Sequence, residues 1–138
     1  MTSAANVISA ARACVGTPFR HLGRTPGKSL DCAGLAKASA EGAGYAVVDM
    51  DAYGRSPANG LLETMLDAQP CLRRVFRAPQ SGDLLLMRFK GDPQHLAICA
   101  GETIIHAWQT VGKVAEHRFS EEWKARVVRV YAFTGVDL

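Results

Sequence analysis

Apolar positions change period along the chain. In the first half they recur at helical spacing, and after Pro79 they fall into short strand-like runs. Val7, Ile8, Ala11, Cys14 and Val15 share one helical face, so residues from about 4 to 15 predict an amphipathic helix, capped by Ser3 or Asn6 and ended by Gly16. The glycines and prolines of GTPFRHLGRTPGKSL mark a looped connection with a short extended piece around Phe19 to Leu22. From Cys32 to about Gly42 the Ala-rich CAGLAKASAEG predicts a second helix, with Asp31 as N-cap and glycines at its far end. Its small residues Ala33, Gly34, Ala36, Ala38 and Ala40 suit close packing against another surface.

Residues 45 to 80 are less regular. The acidic, Tyr53-bearing loop VVDMDAYGRSP leads to a helix predicted from Pro57 to Asp67, with Ser56 as cap and Leu61, Leu62, Met65 and Leu66 on one face. Then come LLLMRF, HLAICA, TIIHAW, VAEHRF and RVVRVYAF, separated by Gly, Asp and Pro. The fold class is therefore α+β: N-terminal helices packed on a C-terminal antiparallel sheet of about five strands.

Composition narrows the function classes. A chain of 138 residues, 48% hydrophobic and 21% charged, is one globular domain spanning 1–138, neither disordered nor fibrous. Its 16 basic and 13 acidic residues are dispersed except for pairs such as Arg73 and Arg74, without the clustered stripe that nucleic-acid binding uses. Cys14, Cys32, Cys71 and Cys99 form no C-x-x-C pair; three read as small buried hydrophobes, and a disulfide framework is not expected. MTSAANVISAARACVG lacks a basic leader and is interrupted by Arg12, so no secretory signal is expected, and no apolar run reaches the length of a membrane span. The expected site of synthesis is the cytoplasm, and action outside it calls for another carrier.

Cys32 is the exception among the cysteines, because it opens a helix. Free N–H groups and the partial positive charge of a helix start favour a thiolate, and a neighbouring imidazolium favours it further. Two histidines lie on adjacent strands. HLAICA and TIIHAW are separated by Gly101 and Glu102, the length of a tight hairpin. With Ala100 and Thr103 flanking the turn, Ala97 falls opposite His106 and His95 opposite Trp108, so all four share a face. The histidines are then diagonal neighbours roughly 7–8 Å apart at the backbone, with Ala97 leaving room between them. His95 suits a general base toward the Cys32 thiol, and His106 suits the group that orients it. Zinc is an alternative use of Cys32, His95 and His106, although the paired-ligand spacing is missing. No cofactor or metal is expected.

These residues resemble the NlpC/P60 family of papain-like peptidoglycan peptidases. DCAGL is similar to the family's Asp-Cys-Ser-Gly-Leu motif, VGTPFRHLGR to its Gly-Thr-Pro-Tyr approach, SGDLLLMRF to its Pro-Gly-Asp-Leu strand entry, and QHLAICAGETIIHAW to its His-Val-Gly-Ile-Tyr and Ile-His-Ala strands. Arg20, His21 and the aromatic-rich end resemble a form found in phage tails and gene transfer agents. The resemblance implies a papain-like NlpC-type fold with Cys32 as nucleophile, His95 as base, His106 as third residue, and the Cys32 N–H in the oxyanion hole. Asp31 would meet the free amino group of a stem peptide, besides capping the helix.

The implied reaction is hydrolysis of the amide between D-glutamate's γ-carboxyl and the diamino acid of peptidoglycan stem peptides. The implied setting is a virion or tail-like particle, with tail-tip or hub proteins as partners and the periplasmic cell wall as target. Phe19 stands where the family has Tyr, Ala33 where it commonly has Ser, and Ser81 where it commonly has Pro. The loss of the Tyr hydroxyl favours the alternative, a weak or inactive structural or assembly protein of the tail tip. Acyl transfer, or hydrolysis of another amide, fits the same three residues. Phe19, His21 and Trp108 are the further candidates for contact with substrate. His117 reads as a surface strand residue, Trp123 as core or rim, and Tyr53 as a loop anchor.

Overall fold

Asp31 adopts an extended backbone (φ −102°, ψ −173°), and its carboxylate accepts the Gly34 N–H at 2.8 Å. It thereby caps the helix that begins at the next residue. The computed structural model describes residues 4–49, 60–89 and 92–134, and the side chains of all of these but 92–94. Helix α1 spans Ala4–Ala13, a hairpin of β1 (Arg24–Thr25) and β2 (Ser29–Leu30) follows, and α2 spans Cys32–Gly42. Gly44, at φ 96°, turns the chain out of α2 while the Tyr45 N–H returns to the Ala40 carbonyl and the Gly44 N–H to that of Glu41. This closes the last turn as the terminal glycines predict.

Helix α3 (Leu61–Asp67) buries Leu62 and Leu66 and starts after Gly60, at φ 78°. The expected cap Ser56, Pro57 and the Tyr53 loop lie outside the described residues.

The remaining elements are β3 (Leu72–Val75), β4 (Leu84–Phe89), β5 (Asp92–Cys99), β6 (Thr103–Trp108), β7 (Lys113–Arg118), the single turn α4 (Glu121–Lys124) and β8 (Val127–Phe133). They form an antiparallel sheet of six strands in the order β3-β8-β4-β5-β6-β7. The sheet therefore has one strand more than the five sequence runs. The added strand, LRRV, sits at the sheet edge with both arginines exposed, so its sequence shows no alternation of buried and exposed residues.

Both faces of the sheet are covered, which is why β4 reads as a continuous apolar run. Leu84 and Leu86 point to the main core with α1, α2 and α3, while Leu85 and Met87 point to a smaller core beneath Trp123 of α4. The first core contains Leu30, Leu35, Leu66, Ile98, Ile105 and Tyr131, each no more than 1% exposed. Helix α2 lies over β5 and β6, and its small residues permit the approach: Gly42 meets the methyl of Ala10 in α1, and Gly34 meets the backbone of Gly23.

Candidate active site

Cys32 is the first residue of α2, and the helix places it above the strand that carries His95. The backbone N–H groups of Leu96, the residue after His95, and of Ala33 lie close enough to its sulfur to favour the thiolate. Cys32 and His95 both line a cavity of about 710 Å³, within the range of small-ligand sites. Its other walls are Phe19, Phe89, Ala107, Trp108, the loop residues Gln109 and Thr110, and Glu122, Trp123 and Arg126 around α4.

The β5–β6 hairpin has the register that the two-residue turn predicts. Ile98 pairs with Ile105, Cys99 with Ile104, and the Ala100 N–H bonds to the Thr103 carbonyl at 2.8 Å. The imidazoles meet at the hairpin's far end, where His95 Nε2 and His106 Nδ1 are 2.6 Å apart. Ala97 is buried in the smaller core.

The row continues beyond the expected pair. His106 Nε2 lies 2.7 Å from His117 Nε2, and His117 Nδ1 lies 2.9 Å from the Arg118 carbonyl oxygen. His117 is half-buried rather than a plain surface residue, because β7 pairs with β6 so that His106 faces Ala115 and Ile104 faces His117. The three histidines are each separated by 11 residues. That repeated spacing, read as two successive hairpins, is the sequence signal for His117.

Aromatic rings pack the row. Trp108 stacks on His106 (5.2 Å between centroids, 25° between planes), and Trp123 contacts both His106 and His117, at 5.1 and 4.9 Å. Trp123 is thus a wall of the cavity as well as a cover for the imidazole row, placed by α4, a turn too short to announce itself by periodicity.

The electrostatics differ from the expected standing thiolate. Burial, seconded by the charge of Asp31, pushes the Cys32 thiol up to about 12, against the opposing effect of the Leu96 and Ala33 N–H groups and of Arg24. Burial also lowers His95 to about 3 and His106 to about 2, with repulsion among the imidazoles adding to it. Desolvation outweighs the helix start here. At rest near neutral pH, Cys32 is therefore a thiol, and His95 and His106 are neutral imidazoles.

Asp31 is 3% exposed, and its carboxylate is occupied by the chain itself. Oδ1 accepts from the Gly34 N–H and from Arg24 Nη1, both at 2.8 Å, and Oδ2 accepts the Leu22 N–H at 2.9 Å. Arg24 in turn bonds Asp49. Asp31 caps the helix and anchors the approach loop. Phe19 and Trp108 reach the cavity. His21 lies in an adjoining depression with Arg20 and Gly112, which shares Phe19 and Gln109 with it.

The four cysteines are free thiols, with Cys14, Cys71 and Cys99 buried. Among the described residues no group of three or more His, Cys, Asp and Glu is arranged to hold a metal ion. The imidazole nitrogens bond each other at 2.6 and 2.7 Å. Two ligand nitrogens each about 2.0–2.1 Å from zinc stand farther apart than that. Among the described residues no helix is long and apolar enough to cross a membrane.

Solved structures with the same arrangement share low sequence identity with this chain. A NlpC/P60 family protein from Bacillus cereus is 17% identical, with a TM-score of 0.67 over 94% of this chain and 39% of that one. The NlpC/p60 domain of the peptidoglycan hydrolase SagA is 22% identical, with a TM-score of 0.64 over 95% and 99%. RipD from Mycobacterium tuberculosis, a non-catalytic NlpC/p60 domain protein adapted to peptidoglycan binding, is 17% identical, with a TM-score of 0.60 over 94% and 95%. The chain spans about two fifths of the Bacillus cereus protein and of a Staphylococcus aureus NLP/P60 lipoprotein-like protein. No curated protein sequence matches it. The fold is the papain-like NlpC/P60 fold, helices on an antiparallel sheet. The NlpC/P60 family model matches residues 16–132, and the chain belongs to that family.

Proposed function

We propose that this chain is a cysteine peptidase that hydrolyses the amide between the γ-carboxyl of D-glutamate and the diamino acid in peptidoglycan stem peptides. The observation that carries this reading is the His95–His106 bond of 2.6 Å at a cavity that Cys32 shares with His95. His95 takes the thiol proton as the sulfur attacks the amide carbon. The carbonyl oxygen becomes an oxyanion facing the N–H of Cys32 at the helix start. As the C–N bond breaks, His95 passes the proton to the departing amine and a thioester remains. Water then attacks the thioester, giving a proton to His95, which returns it to the sulfur as the acid leaves. The partners follow from the same reading: a stem peptide in the cavity, and tail-tip or hub proteins of a phage-like particle that carries the chain to the periplasmic wall. Arg20 and His21 in the approach segment support the particle assignment.

Digestion of purified peptidoglycan by the wild type and by Cys32→Ala, with mass analysis of the fragments, tests the reaction. New γ-glutamyl-ended fragments from the wild type alone are expected; identical patterns from both proteins refute it.

A second reading is a structural or assembly protein on the same fold. It is favoured by Phe19, which brings a ring without a hydroxyl to the cavity wall. Under that reading an iodoacetamide probe labels Cys32 no faster near neutral pH than it labels the other thiols.

A further inference from the structure

The row of imidazoles has a direction, and its far end sets it. A carbonyl oxygen only accepts, so the 2.9 Å contact between His117 Nδ1 and the Arg118 carbonyl places the proton on His117 Nδ1. With Nδ1 as its only protonated nitrogen, His117 presents a lone pair at Nε2. The 2.7 Å contact with His106 Nε2 requires His106 to be the donor there, which leaves His106 Nδ1 as an acceptor. The 2.6 Å contact of that atom with His95 Nε2 makes His95 the donor. His95 Nδ1 is left with the lone pair. Without the last histidine, His106 can turn its proton toward His95 and place the His95 proton on Nδ1, where the imidazole no longer accepts one from a thiol.

We propose that His117 is a positioning residue of this site: held by the Arg118 carbonyl, it fixes the tautomers of His106 and His95 so that His95 Nδ1 is the unprotonated nitrogen. The proposal rests on the peptidase reading for its consequence in turnover, while its consequence for the rings is independent of turnover. Trp123, 4.9 Å from His117, and Trp108, 5.7 Å from it, hold the imidazole in place.

The test is the nitrogen-15 spectrum of the histidine rings in the full chain, together with steady-state kinetics on stem-peptide fragments. In the wild type, His95 and His106 are expected in the Nε2–H form and His117 in the Nδ1–H form. A wild-type His117 protonated on Nε2, or a His95 protonated on Nδ1, overturns the proposal with no variant needed. His117→Leu is expected to mix the tautomers of His106 and His95 and to lower kcat at least about fivefold, with KM nearly unchanged. His117→Gln keeps an acceptor for His106 and a donor for the Arg118 carbonyl, and is expected to restore single tautomers and kcat to within about twofold.

Unchanged tautomers in a folded His117→Leu protein, or a folded His117→Gln protein with mixed ones, also refute the positioning role. The two readings fail separately. A wild type that digests no peptidoglycan, yet shifts its tautomers on His117→Leu, removes the peptidase and keeps the positioning role. Turnover with tautomers indifferent to residue 117 does the reverse.

Discussion

Gly34, in the first turn of α2, lies so close to the carbonyl of Gly23 that a Cβ on it would overlap the oxygen. That carbonyl is fixed, because it also accepts Arg24 Nη1 at 2.9 Å. Gly34→Ala gains up to about 1 kcal/mol of helix propensity. It loses about 1–3 kcal/mol to overpacking, and a backbone group cannot rotate away to relieve it. A net loss is expected, read as a melting temperature lower by several degrees and slower labelling of Cys32 as the helix start lifts. An unchanged or higher melting temperature contradicts this packing.

The neutral resting pair predicts an unusual pH profile for Cys32. With His95 lowered to about 3 and the thiol raised to about 12, the protonation of the pair does not change across the neutral range. Alkylation by iodoacetamide, followed at Cys32 by peptide mass analysis, is therefore expected to stay level from about pH 5 to pH 9. In His95→Ala the rate should fall and then climb with pH beyond the ordinary thiol range. A wild-type profile that drops through the normal histidine value would mean that His95 is not held neutral.

The same burial makes the fold acid-sensitive. His95 and His106 stay neutral when folded and take up protons near pH 6.5 when unfolded, so the unfolded state binds more protons between that value and about 3. Stability is complete above about pH 6.5 and decreases as pH falls, by up to about 1.4 kcal/mol per pH unit for each histidine. Urea unfolding at intervals from pH 7 to pH 4 measures the slope. His106→Gln, which still has an acceptor for His95, should flatten it, and equal slopes in the two proteins would refute the assignment.

Phe19 is held by its own N–H on the Gly112 carbonyl at 2.8 Å, with its ring on the cavity wall. Phe19→Tyr adds a hydroxyl at the wall of the cavity that Cys32 also lines, without altering the backbone. If that oxygen assists the developing oxyanion, kcat/KM on stem-peptide fragments rises by about 3- to 100-fold, the upper figure being the low end of the effect of one such donor. A ratio unchanged or lowered shows that this site runs without it.

The parts legible in the sequence are those set by local rules. Asp31 before an Ala-rich run fixed the start of α2, and the spacing from Ala100 to Thr103 fixed the register that brings His95 to His106. His117 is hidden because VAEHRF by itself carries no sign of the strand it pairs with. A second hairpin, with Trp108 opposite Lys113, makes it the next diagonal neighbour. β3 and α4 were hidden for a different reason: an arginine-bearing edge strand and a single turn take their shape from what they pack against. The protonation of Cys32 follows from burial, which no local pattern reports.

The imidazole row stops on a main-chain atom. Whatever residue stands at 118 supplies that carbonyl, and a carbonyl has one protonation state at any physiological pH, so point mutation and titration both leave the anchor in place. What can dislodge it is a slip of β7 against β6. The order of the imidazole row is therefore tied to the alignment of an edge strand, and a defect in that alignment would undo the row while every one of its side chains remained present.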